Sequence, residues 1–353
     1  MERERGQLSY LNTARGISIL LVVIAHSLVP EIRRNIVYGT LFHWICSYNV
    51  PLFAVISGYL FAKGVDRYKE RGLFTFTKQK FQAMIIPYLT VTIISYLGFT
   101  VAHQIPFFSR ILSGAGYDMP EFWRSVYQIL LCQGNMDRHM WFAYAMFFVL
   151  VLSYLFSGLI RRPIGIAVAG GLFILNYYIE LPFAIYKIIF LWVFFTVACQ
   201  VKLIDKLLKR EYMIAILPIH VVTYVIRYSN VLVPYEVFDA LLAIVVGFSG
   251  SILVMSLTKN FLHPSLDKFL NLLSKESFAI YLLHQPFIVS GMCGILLATT
   301  KIPHIAICVI ATILGIVIPV FLSTRIIDKF EILRKLILGK FVVAKKSAGD
   351  RHA

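Results

Sequence analysis

The chain has 353 residues, of which 59% are hydrophobic, 14% aromatic and only 15% charged. A soluble domain carries about 25% charged residues, so this composition excludes a disordered chain, a coiled coil and an ordinary cytosolic enzyme. A membrane-spanning helix needs roughly 20 apolar residues, and the chain therefore has room for about ten such helices and little else. We expect an all-α integral membrane protein.

The net charge of +16 is better explained by membrane topology than by nucleic-acid binding. Lys and Arg residues occur in short clusters between apolar runs. If both termini lie in the cytoplasm, 26 of the 34 basic residues fall on the cytoplasmic side, as the positive-inside rule requires. We therefore expect the lipid bilayer to be a partner and nucleic acid not to be one.

The apolar runs predict ten spans with the N-terminus and the C-terminus inside. The regular alternation of basic and less basic connections supports an even number of spans. Predicted boundaries carry an error of about three residues. The ten runs cover residues 16–30, 38–61, 81–102, 139–159, 163–179, 183–200, 212–228, 237–257, 277–299 and 305–327.

Two other segments are distinctive. Residues 103–138 form the longest outer connection, in which Pro120 and Glu121 predict the start of a short helix. A connection of this length is uncommon without a function, and the alternative is a plain spacer. Residues 326–341 carry apolar side chains at helical spacing with basic residues between them, which predicts a helix on the inner membrane surface.

Ionisable residues inside a span are candidates for function because they are costly to bury there. Arg15 and His26 in the first span are eleven residues apart, a rise of about 16 Å that places both side chains on one helix face. A neutral imidazole is a suitable general base near pH 7, and a guanidinium suits a phosphate. Alternatively, Arg15 anchors the topology and His26 is a hydrogen-bonded packing residue.

The second span combines a proline with polar residues. Pro51 is expected to break or kink the helix, and Asn49 lies beside it. Ser57 and Gly58 permit another helix to approach closely, so helix packing is the alternative to a role in binding.

These segments resemble the acyltransferase-3 family of integral membrane acyltransferases. The first two motifs together are the most specific part of the resemblance, which extends from about residue 8 to residue 290. The matching motifs are Arg15-x10-His26, Pro51-Leu-Phe-Ala-Val-Ile-Ser57-Gly58-Tyr59-Leu60, the basic stretch Lys78-Gln-Lys80 before Ile86-Pro87-Tyr88, Met140-Trp141-Phe142, and Ser277-Phe-Ala-Ile-Tyr281-Leu-Leu-His284.

The resemblance implies ten spans and transfer of an acetyl or other acyl group from acetyl-CoA to a hydroxyl of a cell-surface polysaccharide or lipid-linked sugar. It implies His26 and Arg15 as catalytic residues in a bacterial inner-membrane enzyme. A thioester is already activated, so we expect no metal or other cofactor. The implied substrate-binding residues are Asn49, Ser57, Tyr59, Lys78, Lys80, Trp141, Tyr281 and His284.

One departure from the family pattern concerns the basic stretch, where the family usually has paired arginines before Leu-Ile-Pro-Tyr. This chain has Gln82, Ala83 and Met84 there, and a lysine cannot make the forked contact of an arginine. We divide the chain into a membrane acyltransferase domain over residues 1–330 and a basic cytoplasmic tail over residues 331–353.

Other polar residues leave alternatives open. Asp137-Arg138-His139 precedes the fourth span and either lines an acceptor site or caps the helix. His284 precedes Pro286 and either assists binding and proton transfer or packs. The five cysteines, expected to be small core residues, are Cys46, Cys132, Cys199, Cys293 and Cys308.

A secondary transporter or glycan flippase is the rival function, because buried polar groups and kinked spans also suit substrate passage. The sequence shows no repeated half, which transporters often have.

Overall fold

The computed structural model describes residues 9–114, 116–119, 121–133, 137–179, 181, 184–229, 236–261 and 263–341. Its regular structure is helical throughout these residues. The helices are α1 (Ser9–Ser27), α2 (Pro30–Arg33), α3 (Ile36–Glu70), α4 (Leu73–Lys80), α5 (Ile86–His103), α6 (Pro106–Gly114), α7 (Phe122–Leu131), α8 (Trp141–Leu155), α9 (Ser157–Ile160), α10 (Pro163–Tyr178), α11 (Ile185–Ala198), α12 (Val201–Leu207), α13 (Arg210–Tyr228), α14 (Glu236–Asn260), α15 (Pro264–Lys275), α16 (Ser277–Leu283), α17 (Val289–Thr299), α18 (His304–Phe321) and α19 (Glu331–Leu338).

Several of these helices are long and apolar enough to cross a bilayer, so the chain is a multi-pass membrane protein. Six described helices meet this condition, and a seventh span is formed if the pair α11 and α12, bent by 76°, crosses as one. The six cover Ser9–Ser27, Ile36–Glu70, Leu73–His103, Arg138–Leu155, Val237–Asn260 and His304–Lys329.

The remaining predicted spans fall on helices that are short, charged or broken. Helix α10 has 16 residues, and α13 carries Arg210, Glu211 and Arg227. The predicted span at 277–299 is divided into α16 and α17. The break follows from Pro286, which has no backbone N–H to donate and disfavours a helical conformation at the preceding residue.

Helix α1 lies in the middle of the bundle, in contact with α3, α14, α15 and α18. A Cβ atom added to Gly16 would lie within 2.0 Å of the backbone oxygen of Leu270, so only glycine allows α15 to approach this closely. The same holds at Gly58, where an added Cβ would lie 2.3 Å from the Phe195 oxygen. The predicted close helix approach at Gly58 is therefore confirmed.

Of the break or kink expected at Pro51, the break is wrong, because α3 continues through it. Membrane helices tolerate proline where neighbouring groups satisfy the backbone. The Ser18 hydroxyl of α1 donates a hydrogen bond of 2.6 Å to the Asn49 carbonyl, two residues before Pro51. This buried contact joins the two helices at the level of the proline.

The segments outside the predicted spans are also helical. The short helix expected after Glu121 is present as α7, whose N-cap is Glu121; Pro120 lies outside the described residues. The helix expected over 326–341 is shorter, because a 3-10 turn at Ile327–Lys329 precedes α19. Residues 342–353 of the predicted tail lie outside the described residues.

Candidate active site

A cavity of about 480 Å³ opens among the ends of several helices. We call it the histidine cavity because His26 and His139 line it. It forms where α1 ends, where α8 begins and where the chain breaks between α16 and α17. Its described lining is Val22, Ala25, His26, Arg33, Phe42, Cys46, Asn49, Val50, Phe53, Tyr117, Asp137, Arg138, His139, Trp141, Phe142, Tyr281, Gln285, Pro286 and Ser290.

His26 and His284 form a hydrogen-bonded pair beside this cavity. The Nδ1 atom of His26 lies 3.2 Å from Nε2 of His284 and 3.0 Å from the carbonyl oxygen of Val22. The Nδ1 atom of His284 lies 2.9 Å from the carbonyl oxygens of both Ile280 and Tyr281. His284 is fully buried, whereas His26 is accessible from the cavity.

These contacts fix the positions of the ring protons. A carbonyl oxygen only accepts hydrogen bonds, so Nδ1 of His284 carries the hydrogen and its Nε2 is the acceptor in the neutral ring. His26 must then donate from Nδ1, which leaves its Nε2 with a free lone pair. Because His26 is the accessible member of the pair, that lone pair is available to a bound molecule.

A second histidine at the cavity lies beside a carboxylate. The Nδ1 atom of His139 lies 2.8 Å from Asp137 Oδ1, an ion-pair contact without hydrogen-bond geometry, and the Ser95 hydroxyl donates a hydrogen bond of 2.6 Å to Asp137 Oδ2. The Nε2 atom of His139 is buried and has no hydrogen-bond partner among the described residues. The ring centroid of His139 lies 5.0 Å from that of His284 and 6.4 Å from that of His26.

Tyr281 joins the start of α8 to the broken helix. Its hydroxyl donates to the His139 carbonyl oxygen at 3.1 Å and accepts from the Ala143 backbone N–H at 3.1 Å. Its ring packs edge-on against Phe142, with centroids 5.8 Å apart. Tyr281 therefore sets the position of the backbone that carries His139.

Two arginines lie in the wall of the cavity. The Arg33 guanidinium lies 4.4 Å above the Phe42 ring, and its Nε is buried without a described hydrogen-bond partner. The Arg138 guanidinium lies 4.8 Å above the Tyr117 ring and donates one hydrogen bond to the Gly116 carbonyl. Neither guanidinium forms an ion pair with a carboxylate within the described part of the chain.

The structure separates the residues predicted for the site into two groups. His26, Asn49, Trp141 and Tyr281 line the cavity, and His284 reaches it through His26. The other predicted residues lie away from the cavity: Arg15, Ser57, Tyr59, Lys78 and Lys80.

The second group, together with Lys63, lies toward the opposite end of α1 and α3, which we call the basic end. Arg15 is half-buried and makes no ion pair with any described residue. Tyr59 is buried and its hydroxyl donates to Asp205, while Lys63 lies 4.6 Å above the Tyr59 ring. Lys80 lies 5.4 Å above the Phe76 ring, and Lys78 is exposed.

Asp137 and His139 are the site residues that the sequence left undecided. The capping alternative is wrong, because the Asp137 side chain makes no capping hydrogen bond to the turn at Arg138–Met140. In the sequence, the feature that could have identified this pair is an acidic residue two positions before a histidine at the start of a span.

The expectation that Cys46 is a core residue is also wrong, since it is exposed and lines the cavity; the other four cysteines are buried.

No group of three His, Cys, Asp or Glu side chains in the described part of the chain could hold a metal ion.

Comparison with known families gives a match to the acyltransferase 3 domain over residues 8–323. No curated protein and no solved structure matches the sequence. A family match over nearly the whole chain assigns its chemistry: this membrane protein belongs to the acyltransferase 3 family and is an acyltransferase.

Proposed function

We propose that the protein transfers an acetyl group from cytoplasmic acetyl-CoA to a hydroxyl of a cell-surface polysaccharide or lipid-linked sugar. The observation that carries this proposal is the hydrogen-bonded pair of His26 and His284 at the cavity, from which we infer a free lone pair on Nε2 of His26. It accepts the hydroxyl proton as the oxygen attacks the thioester carbon. The C–S bond then breaks, and the proton passes to the CoA sulfur. General-base assistance of this kind contributes about 10²–10⁴ to a rate.

Arg15, Lys78 and Lys80 are assigned to the donor. CoA carries its phosphates at one end and its thioester at the other, so the phosphate site and the reacting site are separate. Arg15 is about 16 Å of helix rise from His26, and its guanidinium is free to bind phosphate oxygens. Ser57 and Tyr59 lie on α3 toward the basic end and are assigned to the donor path.

The acceptor is assigned to the histidine cavity. Asn49 and Tyr281 offer polar groups for a sugar, and Trp141 and Phe142 offer apolar ring surface. Arg33 and Arg138 leave guanidinium donors without a carboxylate partner, which favours an acceptor that carries an anionic group, as a lipid-linked sugar does through its phosphate.

For the topology, we propose ten spans in a bacterial inner membrane, with both termini in the cytoplasm. In this arrangement the broken pair α16 and α17 crosses as one span, and α10 and α13 are spans as well. The membrane domain then covers residues 1–330, and residues 331–353 form a basic cytoplasmic tail. The asymmetry of the basic residues between the two sides supports this orientation.

The test is transfer of label from acetyl-CoA labelled in its acetyl group. Membranes that contain the protein and a bacterial glycan are expected to place the label on the glycan or lipid-linked sugar, as an ester that alkali removes. Membranes with the His26→Ala variant are the control. A secondary transporter or glycan flippase would leave acetyl-CoA intact, so absence of both transfer and hydrolysis contradicts the proposal.

A further inference from the structure

We propose that His139 is a second catalytic residue, whose imidazolium donates from Nε2 to the thioester carbonyl oxygen while Asp137 holds the ring and its charge. This inference rests on the proposed acyl transfer at the histidine cavity. It assigns to His139 the role of stabilising the oxyanion, which differs from the role of His26.

The first argument is that the two cavity-lining histidines have different partners. His26 donates from Nδ1 to a neutral imidazole, that of His284, at 3.2 Å. His139 instead has a carboxylate oxygen of Asp137 2.8 Å from its Nδ1. A carboxylate stabilises a positive charge on the ring beside it, whereas a neutral imidazole does so much less. The proposal therefore assigns the neutral base to His26 and the charged donor to His139.

The second argument is the burial of the Asp137 carboxylate. Its side chain is fully buried, and such a charge is costly unless it is paired and hydrogen-bonded. Ser95, on α5, supplies one hydrogen bond to Oδ2. A positive charge on His139 supplies the pairing for Oδ1. The proposed imidazolium of His139 is thus the partner of this carboxylate at 2.8 Å.

The third argument is the unused nitrogen of His139. A histidine buried for packing satisfies both ring nitrogens, as His220 does: Trp44 donates to its Nε2 at 3.0 Å, and its Nδ1 lies 3.0 Å from the Ser249 hydroxyl. His139 Nε2 has no such partner among the described residues, although it is buried and its side chain lines the cavity. A buried donor without a partner is destabilising unless something binds it.

The reaction balances with these two roles. The hydroxyl proton moves to His26 Nε2 as the C–O bond forms, and the carbonyl oxygen becomes negative. His139 Nε2–H donates a hydrogen bond to that oxygen without giving up its proton. When the C–S bond breaks, the carbonyl re-forms and the proton on His26 passes to the departing sulfur. The centroids of the two imidazoles lie 6.4 Å apart and both side chains line the cavity, so both can reach one group bound there.

Two substitutions of His139 separate this role from packing. His139→Phe keeps a ring but removes every hydrogen-bond donor, and His139→Gln keeps a donor but removes the ring. Stabilisation of the oxyanion predicts that the Gln variant is the more active and that the Phe variant loses about 10²–10³ in kcat. A packing role predicts instead that the Phe variant is the more active of the two. The KM for acetyl-CoA is expected to stay within about twofold in both, because the effect lies in the chemical step.

Asp137→Asn completes the test through a double-mutant cycle. The single variant is expected to lose at least about tenfold in kcat, and Asp137→Asn combined with His139→Phe is expected to be no slower than His139→Phe alone. His220→Gln, which disturbs a buried histidine away from the cavity, serves as the control and is expected to keep full activity. Membrane yield and acetyl-CoA binding show whether each variant is folded.

The outcomes distinguish this inference from the proposed function. If wild-type membranes transfer no acetyl group, the proposed function fails. If the wild type transfers it but His139→Phe is as active as His139→Gln, or Asp137→Asn is as active as the wild type, only the role of His139 is overturned.

Discussion

The histidine cavity and the basic end hold polar residues in different ways. At the cavity, His26, His284 and His139 are fixed by hydrogen bonds and contacts to backbone carbonyls, to one another and to Asp137. At the basic end, Lys63 and Lys80 rest on aromatic ring faces, and Lys78 is exposed. Proton transfer requires fixed atoms, whereas attraction between a cation and a phosphate tolerates movement. The difference is therefore the one expected between a reacting centre and a site that holds a donor.

The orientation of the histidine cavity and the basic end in the membrane gives a prediction with only two possible outcomes. A reporter fused after Lys63 or Arg210 should be cytoplasmic, and one fused at Gly116 should lie outside. The positive-inside distribution of Lys and Arg is the physical reason. Reporter activity or accessibility in intact cells measures it. If the Gly116 fusion were cytoplasmic, the histidine cavity would face the cytoplasm and the basic end would lie outside, away from cytoplasmic CoA.

His26→Ala should have the largest effect on turnover. Removing the only imidazole of the His26–His284 pair that is accessible from the cavity should lower kcat by about 10²–10⁴. Membrane insertion should be unaffected, and His220→Gln is the matched control. Labelled acetyl transfer by equal amounts of inserted protein provides the measurement. Activity within about threefold of the wild type would remove His26 from the chemistry.

His284→Phe should have a smaller effect. The substitution keeps an aromatic ring in the buried space but removes the acceptor for His26 Nδ1–H, which retains only the Val22 carbonyl. Partners that orient a metal-bound histidine contribute about 10–100-fold to activity, and we expect a loss of the same order for this pair. We expect this loss in kcat, with unchanged KM for acetyl-CoA. A loss confined to KM would instead place His284 in donor binding.

The smallest effect is expected at the basic end. Arg15→Ala should raise the KM for acetyl-CoA, and Arg15→Lys should recover only part of the loss because an ammonium cannot make a forked contact. Steady-state kinetics and CoA affinity of purified, inserted protein measure both. If Arg15→Lys matches the wild type in both quantities, Arg15 is a topology anchor, since the positive-inside rule treats Lys and Arg alike.

The sequence predicted a shared helix face for Arg15 and His26 and a rise of about 16 Å between them, but not where the cavity lies. Their spacing of eleven residues follows the helix period, which local backbone hydrogen bonds set. Only His26 lines the cavity, because the cavity is confined to the level where α1 ends and α16 breaks. A shared helix face therefore did not mean a shared site.

The number of membrane spans was likewise only partly predictable from the sequence. Long apolar runs such as Ile36–Glu70 and His304–Lys329 were recognisable from composition alone. The segment 277–299 was equally apolar, yet Pro286 divides it. Hydropathy measures the cost of placing side chains in lipid and takes no account of where a helix ends.

By itself, the sequence determined that this is a helical membrane protein, and its motifs pointed to the acyltransferase family and to His26. Those properties depend on residue type and on spacings of a few residues. The tertiary structure decided which groups hold His26 and His139. His284 is 258 residues from His26 in the chain, and Ser95 is 42 residues from Asp137. Such contacts depend on how helices pack and end, and local periodicity carries no information about them.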